Sequence, residues 1–100
     1  MGNFKNAAGG LDLPEVLDMV TASRLLEAFL GQRGQALGVD GGGVQRLGAQ
    51  CLQVLLAARA AWAADEQNFV VENVSEDFLA AIELMGVAPD MLTYRKELAA

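Results

Sequence analysis

The chain contains no histidine, a single cysteine, and only four hydroxyl-bearing Ser or Thr residues: Thr21, Ser23, Ser75 and Thr93. Without histidine it lacks both the side chain that most readily exchanges protons near neutral pH and the commonest metal ligand. Ser-His and Cys-His nucleophile pairs are excluded outright. Cys51 alone forms neither an internal disulfide nor a cysteine-ligand cluster, which fits a reducing cytoplasm better than a secreted scaffold. It lies in an apolar run and reads as a buried structural thiol. Positive charge is scarce as well. Seven Lys and Arg against 13 Asp and Glu leave a formal charge of −6, a field that repels phosphate backbones and anionic headgroups, so nucleic acid and membrane surfaces are poor partners. The longest apolar stretch, Cys51 to Ala64, is interrupted by Gln53 and Arg59 and falls short of the roughly 20 residues that cross a bilayer. Residues 1–10 hold one lysine and no apolar core, so they read as neither a signal peptide nor a myristoylation site.

What is present is a chain of 100 residues, 53% hydrophobic and 20% charged, with a mean hydropathy of +0.28. These values exclude intrinsic disorder and predict one hydrophobic core. Residues 1–10 are a flexible leader or a weak edge strand around Phe4, and 11–100 form a single domain. Leu11 to Leu17 is apolar at alternate positions and contains Pro14, which reads as an edge strand or one with a break. Asp18 or Thr21 caps a helix whose Ala22, Leu25, Leu26, Phe29 and Leu30 follow the i, i+3, i+4, i+7 spacing of one buried face, and Gly31 and Gly34 stop it.

Gln35 to Asp40 reads as a buried strand running into Gly41-Gly42-Gly43, and Val44 to Leu47 as a further extended piece. Ala49 to Ala64 is then a helix apolar enough to be buried on most of its circumference. Asn68 to Val74 is β-branched and aromatic, a strand, and Ser75 caps a third helix with a stripe of Phe78, Leu79, Ile82 and Met85. The tail, Met91 to Ala100, has helical propensity. The expected class is α/β: a small mixed sheet of about four strands with three to four helices packed against it.

Nothing in the residues makes an enzyme or calls for a cofactor or metal. The triple glycine is followed by no Gly-Lys-Ser/Thr and completes no dinucleotide fingerprint, so it reads as a turn. A nucleotide on the start of the Ala49 helix would rest on the helix dipole alone, with only Arg46 nearby. The pairs Asp65/Glu66 and Glu76/Asp77 are sequential neighbours, which do not face each other on a helix.

The order of motifs resembles the STAS domain family, the small α/β domains of bacterial anti-sigma-factor antagonists, sulfate-transporter tails and related regulators. The likeness covers roughly Leu11 to Val87. It rests on Val16-Leu17-Asp18-x-x-Thr21-Ala22 entering the first helix, Leu37-Gly-Val39-Asp40-Gly-Gly-Gly-Val44, and Leu52-Gln-Val54-Leu55-Leu56-Ala57-Ala58 in the second helix. Asn73-Val74-Ser75 with Leu84-Met85-Gly86-Val87 completes it.

The resemblance implies a non-catalytic, cytoplasmic signal-transduction domain, expected to be monomeric and not inserted in membranes. It docks on an anti-sigma factor or another ATPase resembling a sensor kinase, through Asp18, Asp40, Gly42, Gly43, Arg46, Ala49, Gln50 and Gln53. In such antagonists the partner kinase phosphorylates a serine in an Asp-Ser-Ser-Gly-Leu stretch at the start of the second helix, and the phosphate switches docking off. Here, aligned on Leu52, that stretch reads Gly48-Ala49-Gln50-Cys51-Leu52, which places Ala49 at the phosphoacceptor position and removes the usual switch. The alternative the resemblance offers is an accessory subunit docked on the ATPase of an ABC-type (lipid) transporter.

Overall fold

Pro14 divides the first expected strand. In the computed structural model, which describes residues 4–6 and 9–92, β1 (Leu11–Asp12) and β2 (Val16–Leu17) lie on either side of that proline and enter two different parallel sheets. A residue with no N–H cannot continue a ladder, so the chain changes neighbours there. Leu13 N–H donates to the Asp40 carbonyl, whereas the Glu15 carbonyl accepts from Gln45 and Arg46. One sheet has the order β1-β3-β5, with β3 at Leu37–Asp40 and β5 at Phe69–Glu72; the other pairs β2 with β4 (Arg46–Leu47).

All named strands pair in parallel, and the isolated bridge between Lys5 and Leu11 adds an antiparallel neighbour outside β1. The Phe4 carbonyl accepts from Asp12 N–H at 2.7 Å there, and Asn6 Oδ1 accepts from Gly10 N–H. Residues 1–3 and 7–8 of the expected leader, and Thr93–Ala100 of the expected helical tail, lie outside the described residues. The chain before the tail makes a 3₁₀ turn over Pro89–Met91 and places Leu92 in the core, its carbonyl accepting from Val71 N–H.

Two helices cross between the strands, α1 (Met19–Leu30) and α2 (Ala49–Ala64), and a third, α3 (Glu76–Leu84), follows β5. Asp18, not Thr21, is the N-cap of α1: its Oδ1 accepts from Thr21 N–H at 3.0 Å and from the Thr21 hydroxyl at 2.9 Å. The buried face of α1 is narrower than the spacing predicts. Leu25 and Phe29 are buried, while Leu26 and Leu30 lie about 100° round the helix and are 45% and 55% exposed. On α2 the correction has the same direction. Cys51, Leu52, Leu55, Ala58 and Trp62 form one buried face, and the opposite face is exposed alanine with Gln50, Gln53 and Arg59. Alanine favours helix without needing burial, so an apolar count overstates how much of such a helix is inside.

β5 stops at Glu72 instead of running to Val74, because Asn73 turns the chain at φ 52°. Asn tolerates that left-handed geometry better than most residues. Ser75 caps α3 as expected, its Oγ accepting from Phe78 N–H at 3.0 Å and donating to the Val44 carbonyl at 2.6 Å. Phe78 and Ile82 are buried, but Met85 lies past the helix end and is largely exposed.

The core is thus a row of Leu11, Val39 and Val71 in register across one sheet, closed by Leu13, Leu17, Leu47 and the inner faces of the three helices. At the far ends of α1 and α2, Phe29, Trp62 and Phe69 meet at centroid distances of 5.5 to 6.2 Å. Trp62 Nε1 donates to the Gln35 carbonyl at 2.7 Å.

Candidate functional site

Because β2 and β4 pair in parallel, the helices that follow them start side by side. Gly48 N–H donates to the Leu17 carbonyl at 2.8 Å, and the Cys51 thiol reaches the Asp18 carbonyl at 3.2 Å. These two bonds hold the start of α2 against the start of α1. Cys51 itself is fully buried, and burial together with the neighbouring Asp18 charge pushes its thiol pKa up, so it is no nucleophile. Asp18 is exposed, and the hydrogen bonds from the Thr21 amide and hydroxyl hold its carboxyl below the ordinary value of 3.8. It stands ionised at the mouth of a cleft of about 290 Å³ shared with Val16, Leu17, Arg46, Leu47 and Gly48.

The cap of α2 is Gly48, which offers no side-chain oxygen. Ala49 follows in the first turn as an exposed methyl group, with Gln50 exposed beside it and Gln53 exposed one turn on. Beside them a groove of about 400 Å³ runs between the two helices, lined by Ala22, Ser23, Leu26, Gln50, Gln53, Val54 and Ala57. No ionisable side chain lines it. Its chemistry is that of a contact surface, apolar with two amides and the Ser23 hydroxyl and with no charged acid or base.

Of the residues expected to form one surface, the structure therefore groups Asp18, Arg46, Ala49, Gln50 and Gln53 around the starts of α1 and α2. Asp40 and Gly42 line neither cleft. Asp40 Oδ1 accepts from Gly42 N–H at 2.8 Å, and its carboxylate also takes the Asn73 amide at 3.2 Å, which closes the turn that joins the ends of β3 and β5. A Cβ on Gly42 would crowd the Asn73 amide at 2.8 Å and the Asn73 carbonyl at 3.1 Å, so a side chain there would push the Asn73 amide off Asp40. Gly43 is exposed with open space around it. Gly41 N–H donates to the Glu72 carbonyl, so two of the three glycine amides are consumed within the fold and do not form a phosphate cradle.

The expected surface lacked its apolar part. Met19 and Val20 are 68% and 73% exposed at the start of α1, and Met19, Leu26 and Leu30 lie on one stripe next to the groove. The signal was available: a 12-residue helix whose apolar positions span more than one face has apolar surface left over. Among the described residues no group of three His, Cys, Asp or Glu is placed to hold a metal ion, and no helix is long and apolar enough to cross a membrane. Comparison with protein-family models finds a match, described as "Mlab, STAS domain", over residues 2–93. Comparisons with curated proteins and with solved structures returned no match.

Proposed function

Since the chain belongs to the STAS family, whose members are generally non-catalytic binding and regulatory domains, we propose that it docks on a cytoplasmic signalling partner. The partner is an anti-sigma factor or an ATPase resembling a sensor kinase, and no serine phosphorylation switches the contact. The observation that carries this reading is Ala49. It is exposed in the first turn of α2, beside the ionised Asp18 and at the head of the apolar groove. A phosphate there would sit in a contact surface near a like charge and would have to be desolvated, both of which oppose docking. A methyl group imposes neither cost, so the surface is held permanently in its docking state.

Burying Met19, Val20 and Leu26 supplies affinity at roughly 25 cal/mol per Å² of apolar area before the costs of association are subtracted. Gln50 and Gln53 supply register through their amides. Co-expression of the tagged chain with a kinase-like ATPase of the anti-sigma-factor type, followed by co-purification, tests the proposal. The complex is expected to form with the present chain and to be lost with Gln50→Arg/Gln53→Arg. An Ala49→Ser variant is expected to become phosphorylated by the partner and to release it when ATP is added. Retention of the partner by the double-arginine variant overturns the interface. Co-purification only with an ABC-type transporter ATPase replaces the signalling partner by the transporter one.

A further inference from the structure

Exposed hydrophobic side chains are concentrated on one helix. Met19, Val20, Leu26 and Leu30 all belong to α1, whereas Leu84, Met85 and Met91 lie at the end of α3 or in the turn after it. Scattered exposed apolar residues are ordinary, but a contiguous set marks a surface that another molecule covers. The set on α1 is ordered as well as contiguous. Leu25 and Phe29 face the core, while on the outer side Met19, Ser23, Leu26 and Leu30 follow one another at steps of four, three and four residues. Alternating steps of three and four are the spacing by which one helix packs its side chains between those of another along a narrow seam. All four positions are exposed, so the fold has spent one seam of α1 on the core and left a second one uncovered by any described residue.

Charge and size say what covers it. The chain carries a formal charge of −6, so two copies repel on most approaches. Neither the seam nor the groove beside it contains an ionisable side chain, and this face therefore closes on its own copy without burying a charge or opposing two like ones. Twelve residues at about 1.5 Å each make α1 about 18 Å long, and with α2 beside it the face is about 20 Å wide. That footprint is roughly 400 Å² per copy, about half of the ~800 Å² that each partner buries in a stable pairing. It suits a dimer that forms and separates readily.

We infer that α1 pairs with α1 of a second copy of this chain, antiparallel about a twofold axis, in a weak and reversible dimer. Met19 lies against Leu30 of the second copy and Ser23 against Leu26, and each contact recurs in the other direction, as a twofold requires. Parallel pairing would set the two Asp18 carboxylates at the helix starts against each other and align the helix dipoles; antiparallel pairing avoids both. Ser23, the polar position of the seam, fixes the register at a cost in affinity. The monomer expected from the sequence is the low-concentration form. Because the pairing covers Met19 and Leu26, self-association also withdraws the proposed docking surface as concentration rises. That consequence rests on the docking proposal, whereas the dimer does not.

Sedimentation velocity of the full chain alone, from micromolar concentrations to about 1 mM, tests the dimer with no other protein present. Expected are a rise with concentration from the mass of one chain to that of two, and amide shift changes on dilution centred on α1 and the groove side of α2. Added salt is expected to strengthen the association, because screening removes the repulsion between two chains of −6 and leaves an apolar contact in place. Leu30→Glu is expected to weaken it at least about tenfold. Leu84→Glu, the same change on the exposed end of α3, is expected to leave it as in the parent. Ser23→Leu completes the seam and is expected to strengthen it about tenfold, with the mass still stopping at two chains and the urea midpoint no lower. The mass of a single chain at every concentration, equal loss with Leu84→Glu, no gain with Ser23→Leu, or an association that weakens with salt overturns the inference. None of these outcomes bears on the docking proposal, whose partner is absent from the experiment.

Discussion

The two ends of the α1–α2 pair are built in opposite ways. At the C-terminal end Phe29, Trp62 and Phe69 interlock, Trp62 donates to the Gln35 carbonyl, and Arg33 lies 5.8 Å from the Trp62 ring while it pairs with Asp65. At the N-terminal end one backbone bond and one thiol contact hold the helices together. Beyond those contacts lie Met19, Val20, Ala49, Gln50 and Gln53, all exposed. Cohesion is concentrated at the C-terminal end, and the exposed surface proposed for docking sits where one backbone bond and one thiol contact tie the helices. Side chains at the open end are consequently free to vary without unfolding the pair, and those at the sealed end are not.

The sharpest way to break that contrast is Trp62→Ala. Truncating a fully buried tryptophan leaves a cavity and an orphaned Gln35 carbonyl, and costs about 3–5 kcal/mol. Urea unfolding is expected to show the loss in the midpoint, with partner binding retained wherever the variant is folded. Ala49→Asp is the mirror case. An added carboxylate at a helix N-terminus is neutral or favourable to the helix by about 0.3–1 kcal/mol, so the unfolding midpoint is expected to hold while partner affinity falls at least tenfold. A midpoint drop in Ala49→Asp comparable to that of Trp62→Ala would mean that the open end carries the fold after all.

The sequence made the sealed end easier to read than the open one. The order strand, helix, strand, helix, strand, helix, the Ser75 cap and the core leucines follow from periodicity and capping chemistry, which are local. Pro14 announced a break, but that the chain changes sheets there depends on Glu15 meeting Gln45 and Arg46, a pairing no local pattern contains. Leu26 and Leu30 looked like core because leucine usually is, and only the packing of α2 against Leu25 and Phe29 leaves them outside. Asp40 and Gly42 looked like part of a docking loop because aspartate and glycine serve both loops and sites. Asn73, contributed from the end of β5, is what ties the Asp40 carboxylate into the turn.

Asn73 sharpens the comparison at a third place, the turn at the end of the larger sheet. Asn73→Ala keeps a left-handed residue that has lost its tolerance for that geometry and leaves the Asp40 carboxylate without its amide, at a cost of about 1 kcal/mol. Ser75→Ala, two residues on, removes the cap of α3 and the bond to Val44, also worth about 1 kcal/mol. Both are expected to lower the urea midpoint by less than Trp62→Ala does, and both to leave docking at α2 intact. Loss of docking in either would join this turn to the open end.

The smallest effect distinguishes the two ends by the kind of bond that holds a carboxylate. Asp18 at the open end and Asp65 at the sealed end both have carboxyls held below the ordinary 3.8, Asp18 by the Thr21 amide and hydroxyl, Asp65 by the Arg33 guanidinium. A folded-state value lower than the unfolded one gives stability that is present above pH 3.8 and lost as the pH falls through the folded value. Asp18 is exposed and Asp65 partly so, and solvent keeps each contribution modest. Salt separates them, because screening weakens attraction to a guanidinium but leaves a hydrogen bond from an uncharged amide nearly untouched. In urea unfolding at neutral pH followed by Trp62 fluorescence, the deficit of Asp65→Asn relative to the parent is expected to shrink at high salt, and that of Asp18→Ala, which removes the capping oxygen, to persist. If both deficits vanish together at high salt, Asp18 is held by charge and not by its cap, and the chemical difference between the two ends is lost.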